Sequence, residues 1–515
     1  MASAALPIPA SRPAPSPLAI TCVVMIATFL QVLDSTIANV ALPHMQASLG
    51  AAADTVTWVL TSYIVASAIA TPLTGWLSGM FGRKKLFVAA IAGFILASMA
   101  CGAAQSLEQM VAFRLMQGAF GAFLVPLGQS FLLDAYPREK HGQALALWGV
   151  GVMVGPVMGP VLGGWLTDSF DWRWVFYVNV PFGALALFGA LAFLPESSND
   201  KRRRFDVFGF AMLSIGVGAL QLMLDRGQQL DWLASWEVRV EGGLAIAALW
   251  MFGVHVMTGR DTILDSVILR DRNAMTGFVF ITLIGGLMVS TSALMPPMLE
   301  GLYGYPVVTA GLAMAPRGIG TMAGMLLMGK IIGKFDPRHL MAFGLLLTAW
   351  SLWMMSHFSP VMGMREIVIS GLVQGFGLGF LFVPLNTMAF ATLGPAQRTD
   401  AASFFSLLRN LGASVGVSLG VGVLATQTQI AHSDIGSAVT PFSLGVDSSM
   451  VRALGPTGDA AMAFLDAQVN MQAAMVAYLD VYYLLMWVTL GTLPLLLLMR
   501  RPGKVVGEIP HAAVD

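Results

Sequence analysis

The 515 residues predict an all-α membrane protein of fourteen transmembrane helices, arranged as two six-helix bundles plus two inserted linker helices. Three observations carry that expectation. Of the chain, 56% is hydrophobic and only 11% charged, with a mean hydropathy of +0.74, against about 25% charged in an average soluble domain. Apolar runs of about 20 residues recur from end to end, each long enough to cross a ~30 Å hydrocarbon core as a helix. Finally, short patterns in the first part of the chain return in the second part at nearly constant offset.

In order along the chain, a Pro/Ala/Ser-rich tail, 1–17, lacks the charged start and short apolar core of a cleaved signal peptide, so the first span is expected to stay in the mature chain. Spans near 18–40, 55–77, 86–105, 109–133, 142–167 and 174–194 make an N-terminal bundle, 18–194. The stretch Lys201-Arg202-Arg203-Arg204 opens a linker, 195–273, with spans near 206–225 and 240–258. Spans near 274–299, 307–332, 339–357, 367–392, 402–427 and 479–499 make a C-terminal bundle, 274–500, followed by a tail, 501–515. The longest outer loop is expected over 428–478. It has turn formers around Ser433–Gly455, then an amphipathic stretch, Ala460–Tyr478, suited to a helix on the outer surface.

The internal repeat joins Gln117-Gly118 and Pro126 to Gln374-Gly375 and Pro384, Gly75, Gly79 and Phe81 to Gly329, Gly333 and Phe335, and Gly155 and Gly159 to Gly412 and Gly416. These offsets run from 254 to 258 residues, which one chance match of Gly-rich helices would not produce. Two homologous halves around a midplane cavity are the architecture of transporters that alternate between inward and outward openings.

Lysine and arginine set the expected orientation. Twenty of the 28 fall on one side, five on the other, and Arg114, Arg317 and Arg409 lie inside spans. The bias assigns both termini and the basic loops to the cytoplasm of a multi-pass protein. Formal net charge is zero, so nothing suggests a nucleic-acid partner. The two cysteines, Cys22 and Cys101, fall inside spans and have no metal-ligand spacing. There is no nucleophile elbow and no phosphate-binding loop, so the chain reads as neither an enzyme nor an ATP-driven pump, with no cofactor and no metal site expected.

Asp34, in the middle of the first apolar run, is the first candidate for function. A carboxylate at bilayer depth costs roughly 2.5–3.5 kcal/mol on insertion scales and is usually kept because it binds a proton, an ion or a partner charge. Burial favours its protonated form and a nearby arginine its ionised form, so alternation between the two environments loads and releases protons. Hydrogen bonding to Thr36, Asn39 or a neighbouring helix is the structural alternative. Arg114 is the second candidate, because the alternation of spans places it at the depth of Asp34, where the two charges can pair. An arginine near a span end can instead snorkel to the interface.

Gly151, Gly155, Gly159 and Gly163, at spacing four, form one smooth face of the fifth span for close helix contact. Pro156 and Pro160 remove backbone donors and offer places to bend. Ordinary tight packing explains the same face. Arg317 and Arg409 are intramembrane cations able to face an anionic or weakly acidic apolar substrate, and with Gln31, Asn39, Gln117, Gln374 and Asn386 they form the candidate lining of a substrate cavity. The 33 methionines suit a pliable site for varied small hydrophobic molecules.

These motifs resemble the fourteen-span EmrB/QacA-type drug:proton antiporters of the major facilitator superfamily, closest to the EmrB branch. The resemblance rests on Leu33-Asp34-Ser35-Thr36-Ile37-Ala38-Asn39-Val40-Ala41-Leu42-Pro43; on Arg114-x-x-Gln117-Gly118; on Gly151-x-x-x-Gly155-Pro156-x-x-Gly159-Pro160-x-x-Gly163-Gly164; on Trp172-Arg173-Trp174-Val175-Phe176-Tyr177-Val178-Asn179-Val180-Pro181; and on Leu224-Asp225-Arg226-Gly227 and Arg409-Asn410-x-Gly412. It implies the major facilitator fold, proton coupling through Asp34 and Arg114, a role for the fifth-span motif in exchange direction, and multidrug efflux across the bacterial inner membrane. Similar pumps work with a periplasmic adaptor and an outer-membrane channel, so a tripartite assembly is compatible; a capping role for the outer loop is the alternative. A proton-coupled uptake symporter on the same fold, or a receptor that binds without transport, are the competing functions.

The sequence departs from the family pattern after the second span. There Gly75-Trp76-Leu77-Ser78-Gly79-Met80-Phe81-Gly82-Arg83-Lys84-Lys85 carries Gly79 and Met80 at the usual acidic and arginine places. Gly75, Gly82, Arg83 and Lys84 remain compatible with a tight gating loop, while the salt bridge between bundles that the usual aspartate makes is left without its acid. A loop that only fixes topology is the other reading.

Overall fold

The computed structural model describes residues 16–52, 55–196, 204–259, 262–438 and 459–500. Its elements are α1 (Pro17–Leu49), α2 (Trp58–Ala70), α3 (Leu73–Phe81), α4 (Arg83–Ala103), α5 (Leu107–Gly121), α6 (Leu124–Ala135), α7 (His141–Ser169), α8 (Trp174–Tyr177) and α9 (Asn179–Phe193). Then follow α10 (Val207–Arg226), α11 (Trp236–Thr258), α12 (Ser266–Arg270), α13 (Arg272–Gly301), α14 (Val307–Ile331), α15 (Pro337–Met355), α16 (Met364–Phe390), α17 (Pro395–Ala438) and α18 (Asp459–Gly491), with short 3-10 turns between and after them.

Among the described residues, eleven helical stretches are long and apolar enough to cross a membrane, or twelve if the bent pair α2–α3 is one span. That pair turns by 59° where Pro72 stands, a residue that cannot donate to the helical ladder and crowds the turn before it. The eleven include α5 with α6 as one stretch and α8 with α9 as another. Helices α14, of 25 residues, and α15, of 19, occupy the predicted tenth and eleventh spans. They are less apolar, and α14 carries Arg317 and Lys330.

Packing repeats as the sequence repeats. Helix α1 packs on α7, α2 on α5, and α4 on α5; later in the chain α13 packs on α17, α14 on α16, and α15 on α16. The two parts meet where α7 packs on α14 and α16, and where α17 packs on α6 and α3. Helices α10 and α11 pair with one another, and α10 also touches α2 and α17. Glycine permits close crossings here: at Gly416 a β-carbon would have no room, because the backbone of Gly286 on α13 lies against it.

The described parts of the loop expected over 428–478, residues 428–438 and 459–478, are helical. Helix α17 runs 44 residues, through Ala438, and α18 runs from Asp459 without a break into the last apolar stretch. Residues 439–458, most of the predicted turn region, lie outside the described residues. Hydropathy marks where apolar side chains stop, and backbone hydrogen bonding continues through the polar Thr426–Ala438. At 1.5 Å per residue α17 is about 66 Å long, roughly twice the hydrocarbon thickness. The two extensions are joined by His432, whose Nε2 lies 3.3 Å from Asp466 Oδ1.

Nor is the predicted gating loop a loop. Gly75 lies inside α3, Gly82 alone separates α3 from α4, and Arg83 and Lys84 form the first turn of α4. Gly82 has φ 89°, a left-handed conformation open to glycine and strained for other residues. The apolar run Leu73–Phe81 continues the helix to within one residue of the next.

Candidate functional site

Helix α1 buries Leu30, Leu33, Ile37 and Ala41 on one stripe, and Asp34 sits on that stripe with no exposed surface. Burying an ionised carboxylate is unfavourable unless donors surround it. Three do so here. Arg114 Nη1 donates to Oδ2 at 2.6 Å, Gln117 Nε2 donates to Oδ1 at 2.8 Å, and Asn179 Nδ2 donates to Oδ1 at 2.8 Å. Arg114 and Gln117 are three apart on α5, which puts both on one helix face. Asn179 is the first residue of α9.

Each donor is itself held. Arg114, 1% exposed, donates Nε to the Val59 carbonyl at 3.0 Å and Nη1 to Gln117 Oε1 at 2.8 Å. Its guanidinium lies 4.3 Å from the centre of the Tyr63 ring and 5.7 Å from that of Phe176, so aromatic faces complete its surroundings. Cys101 Sγ also donates to Gln117 Oε1, at 3.6 Å. Asn179 Nδ2 reaches Ser98 Oγ at 3.0 Å, and Ser98 donates to the Phe176 carbonyl at 2.9 Å. Arg173 explains why Asn179 stands there: its Nη1 donates to the carbonyls of Gly102 and Ala104 at 2.9 and 2.5 Å, closing the end of α4 and docking the Trp172–Asn179 turn on it.

Helix α1 is backed by the glycine stripe of α7. A β-carbon at Gly155 would lie 2.9 Å from Val32 Cγ1 and 3.2 Å from the Leu33 nitrogen; one at Gly163 would lie 3.2 Å from the Ile37 carbonyl oxygen. Gly151 faces Met25 and Gly159 faces Thr36 in the same way. The fifth-span motif therefore sets the spacing of the helix that carries Asp34. Gly164 has nothing within 4 Å and lies off this stripe. Helix α7 is assigned without interruption across Pro156 and Pro160.

The other predicted polar residues separate into different places. Gln31, one turn before Asp34, is half-buried and its Oε1 has no partner among the described residues. Asn39 is exposed and does not join the carboxylate. Arg317 donates to Ser292 Oγ and to the Met288 carbonyl, both at 2.8 Å, on α13. Gln374 is 1% exposed, with neither end of its amide bonded among the described residues. Arg409 is half-buried, and neither it nor Arg317 has an acid within ion-pair distance among the described residues. Asn386 accepts from Gln129 Nε2 at 3.4 Å, a contact between α16 and α6.

At the end of the helices that carries Arg83, the predicted gating residues Gly75 and Arg83 meet residues the sequence did not single out, and together these tie the two halves. Asp134 pairs with Arg83 through Oδ2 and with Arg398 through Oδ1, the latter at 3.1 Å. Ser130 and Thr399 exchange a hydrogen bond at 2.9 Å, Arg83 Nη1 donates to Ser130 Oγ at 3.1 Å, and the Asp400 carboxylate lies over Gly75. Lys84 Nζ donates to the Leu191 carbonyl at 2.9 Å. The acid missing at position 79 thus has a counterpart elsewhere: the tie between halves runs from Arg398, Thr399 and Asp400 of α17 to α3 and α6.

Asn179 and Tyr63 are the site members that sequence reasoning passed over. Asn179 stood in the sequence only as one residue of the Trp172–Pro181 motif, with no role given to it, and Tyr63 had no distinguishing pattern.

Known proteins resemble this chain over most of its length. Residues 24–444 match the family model of the Major Facilitator Superfamily. The chain is 35% identical over 486 residues to the multidrug export protein EmrB of Escherichia coli K12, covering 94% of this chain and 95% of that one. It is 37% identical over 419 residues to the fatty acid resistance protein FarB of Neisseria gonorrhoeae, covering 81% and 83%. Among solved structures, the human organic anion transporter MFSD10 (TETRAN) superposes with a TM-score of 0.60 at 16% identity, covering 93% of this chain and all of that one, a likeness of fold alone.

Proposed function

Because this chain belongs to the Major Facilitator Superfamily and is of the EmrB multidrug-export type, we propose that it is a proton-driven antiporter exporting small hydrophobic and amphiphilic compounds across the bacterial inner membrane. The observation that carries this reading is the enclosed Asp34 with its three donors. An ionised Asp34 cannot leave Arg114 cheaply, since removing one partner of a buried pair costs about 3–5 kcal/mol. A proton on Asp34 removes the acid's share of that penalty and leaves the guanidinium without its counter-charge, which drives Arg114 to seek water or another partner. The site is sealed in this conformation, so proton entry belongs to a second conformation in which α1, α5 and α9 separate. The glycine stripe of α7, with no side chains to interlock, lets α1 shift along it.

In this proposal the chain has fourteen spans, counting α14 and α15, as two six-helix bundles with α10 and α11 inserted. Its termini and the Asp134–Arg398 end face the cytoplasm. The tie at that end then closes the cytoplasmic side, and the extensions of α17 and α18 project outward, where they offer a periplasmic adaptor a helical surface leading to an outer-membrane channel. Arg317, Arg409 and Gln374 supply the polar lining of the substrate path.

The test is flux in proteoliposomes. With an inward proton gradient, amphiphilic acids and cations are screened for countertransport, and Asp34→Asn is expected to abolish gradient-driven export while the protein remains folded. Undiminished antiport by that variant removes Asp34 from the mechanism. Accumulation in the direction of proton flow would indicate an uptake symporter, and binding without flux a receptor.

A further inference from the structure

We propose that Asn179 is a positioning residue that reports the protonation of Asp34 by turning its side-chain amide. This deepens the proton-coupling reading and rests on it. A neutral carboxyl group needs something its ionised form does not: an acceptor for its own O–H. Of the groups bonded to Asp34, Arg114 carries no acceptor at all. Gln117 has one, Oε1, but that oxygen already accepts from Arg114 Nη1 at 2.8 Å and from Cys101 Sγ at 3.6 Å, and its amide cannot turn without pointing N–H groups at the guanidinium. Asn179 is different: its Oδ1 is buried and has no partner among the described residues, although the residue is wholly enclosed. It is the one uncommitted acceptor directly attached to a donor of Asp34.

The orientation seen here is the one an ionised Asp34 enforces. Nδ2 points at Asp34 Oδ1 at 2.8 Å and at Ser98 Oγ at 3.0 Å, and a carboxylate, which can only accept, repels the opposite orientation. When an aqueous proton binds Asp34 Oδ1, the O–H needs an acceptor in the place Nδ2 now fills. A half-turn of the amide puts Asn179 Oδ1 there. Ser98 tolerates both orientations, because its hydroxyl accepts from the amide in one and donates to it in the other, giving up the Phe176 carbonyl. The titratable and charged groups packed against this site are Arg114 on α5, Tyr63 on α2 and Cys101 on α4; Arg114 has no acceptor atom, Cys101 Sγ is turned to Gln117, and the Tyr63 hydroxyl, though able to accept, is not within hydrogen-bond distance of the carboxylate. Since Asn179 opens α9, the turn carries the charge state of α1 to a second helix.

The experiment is infrared difference spectroscopy on the full-length protein in liposomes, stepped from alkaline to acidic pH, with asparagine side-chain carbonyls isotopically labelled. The wild type needs no substitution to give its result: a rising carboxylic-acid band should be accompanied by a shift of an asparagine carbonyl band. Both changes should vanish in Asp34→Asn. In Asn179→Leu the asparagine band alone should vanish, while the carboxylic-acid band moves to higher wavenumber because its O–H has lost its acceptor. A wild-type carboxylic-acid band with no accompanying asparagine shift, or an asparagine shift that persists in Asn179→Leu, overturns the inference. If Asp34→Asn stops gradient-driven flux in either of those cases, proton coupling stands and only this inference falls. If Asp34→Asn still drives antiport, the coupling reading itself fails.

Discussion

Arg398 Nη1 lies 3.1 Å from Asp134 Oδ1, joining residues 264 positions apart in the chain and on opposite halves of the repeat. Arg398 is nearly buried, at 9% side-chain exposure, so this pair is less screened than a surface bridge. Its acid is shared with Arg83, which makes one carboxylate the meeting point of α4, α6 and α17.

If this tie holds the basic end shut, Asp134→Asn and Arg398→Gln should each increase labelling of a cysteine introduced on the facing surface of α6. A loss of about 1 kcal/mol corresponds to roughly a fivefold change in the open population. The double variant should do no more than Asp134→Asn alone, since Arg398 acts through that acid while Asp134 also holds Arg83. Fully additive effects would mean that each side chain acts through other contacts.

Arg114→Ala leaves Asp34 enclosed with its charge unmatched, and should lower stability by about 3–5 kcal/mol, read as a reduced Tm in detergent. Asp34→Asn combined with Arg114→Gln should recover most of that loss and still fail to transport. A Tm for Arg114→Ala equal to wild type would show that the pair is hydrated in solution.

The stripe on α7 can be tested against its neighbour. Gly155→Val forces atoms into Val32 and the Leu33 backbone, so both Tm and transport rate should fall, with an overpacking cost of about 1–3 kcal/mol. Gly164→Ala meets open space and should leave both unchanged. Equal effects at the two positions would remove the special role of the α1–α7 contact.

The apolar runs were legible because lipid imposes a length and an apolar composition on each crossing helix, and the repeat was legible because glycine has few substitutes where backbones touch. Asp34 and Arg114 stood out as charges in apolar surroundings. Asn179 and Tyr63 did not, because their importance comes from which helix packs beside which, and that is a property of the assembled bundle. Asp134, Arg398 and Asp400 sit near span ends, where charged residues are common, so nothing local distinguished a tie between halves from ordinary interfacial polarity. The helical stretch at 428–438 was missed because side-chain hydropathy says little about where a backbone ladder ends.

Helix α17 gives the molecule a lever. Its backbone meets α13 at Gly416, close to midway between Arg398 and His432, with arms of about 27 and 24 Å at 1.5 Å per residue. A tilt of about 10° around that fulcrum swings each tip by roughly 4–5 Å in opposite directions. Were Arg398 released and α17 to tilt as one body, the far tip would move with it, and whatever rests on His432 and Asp466 would feel the stroke at the same moment.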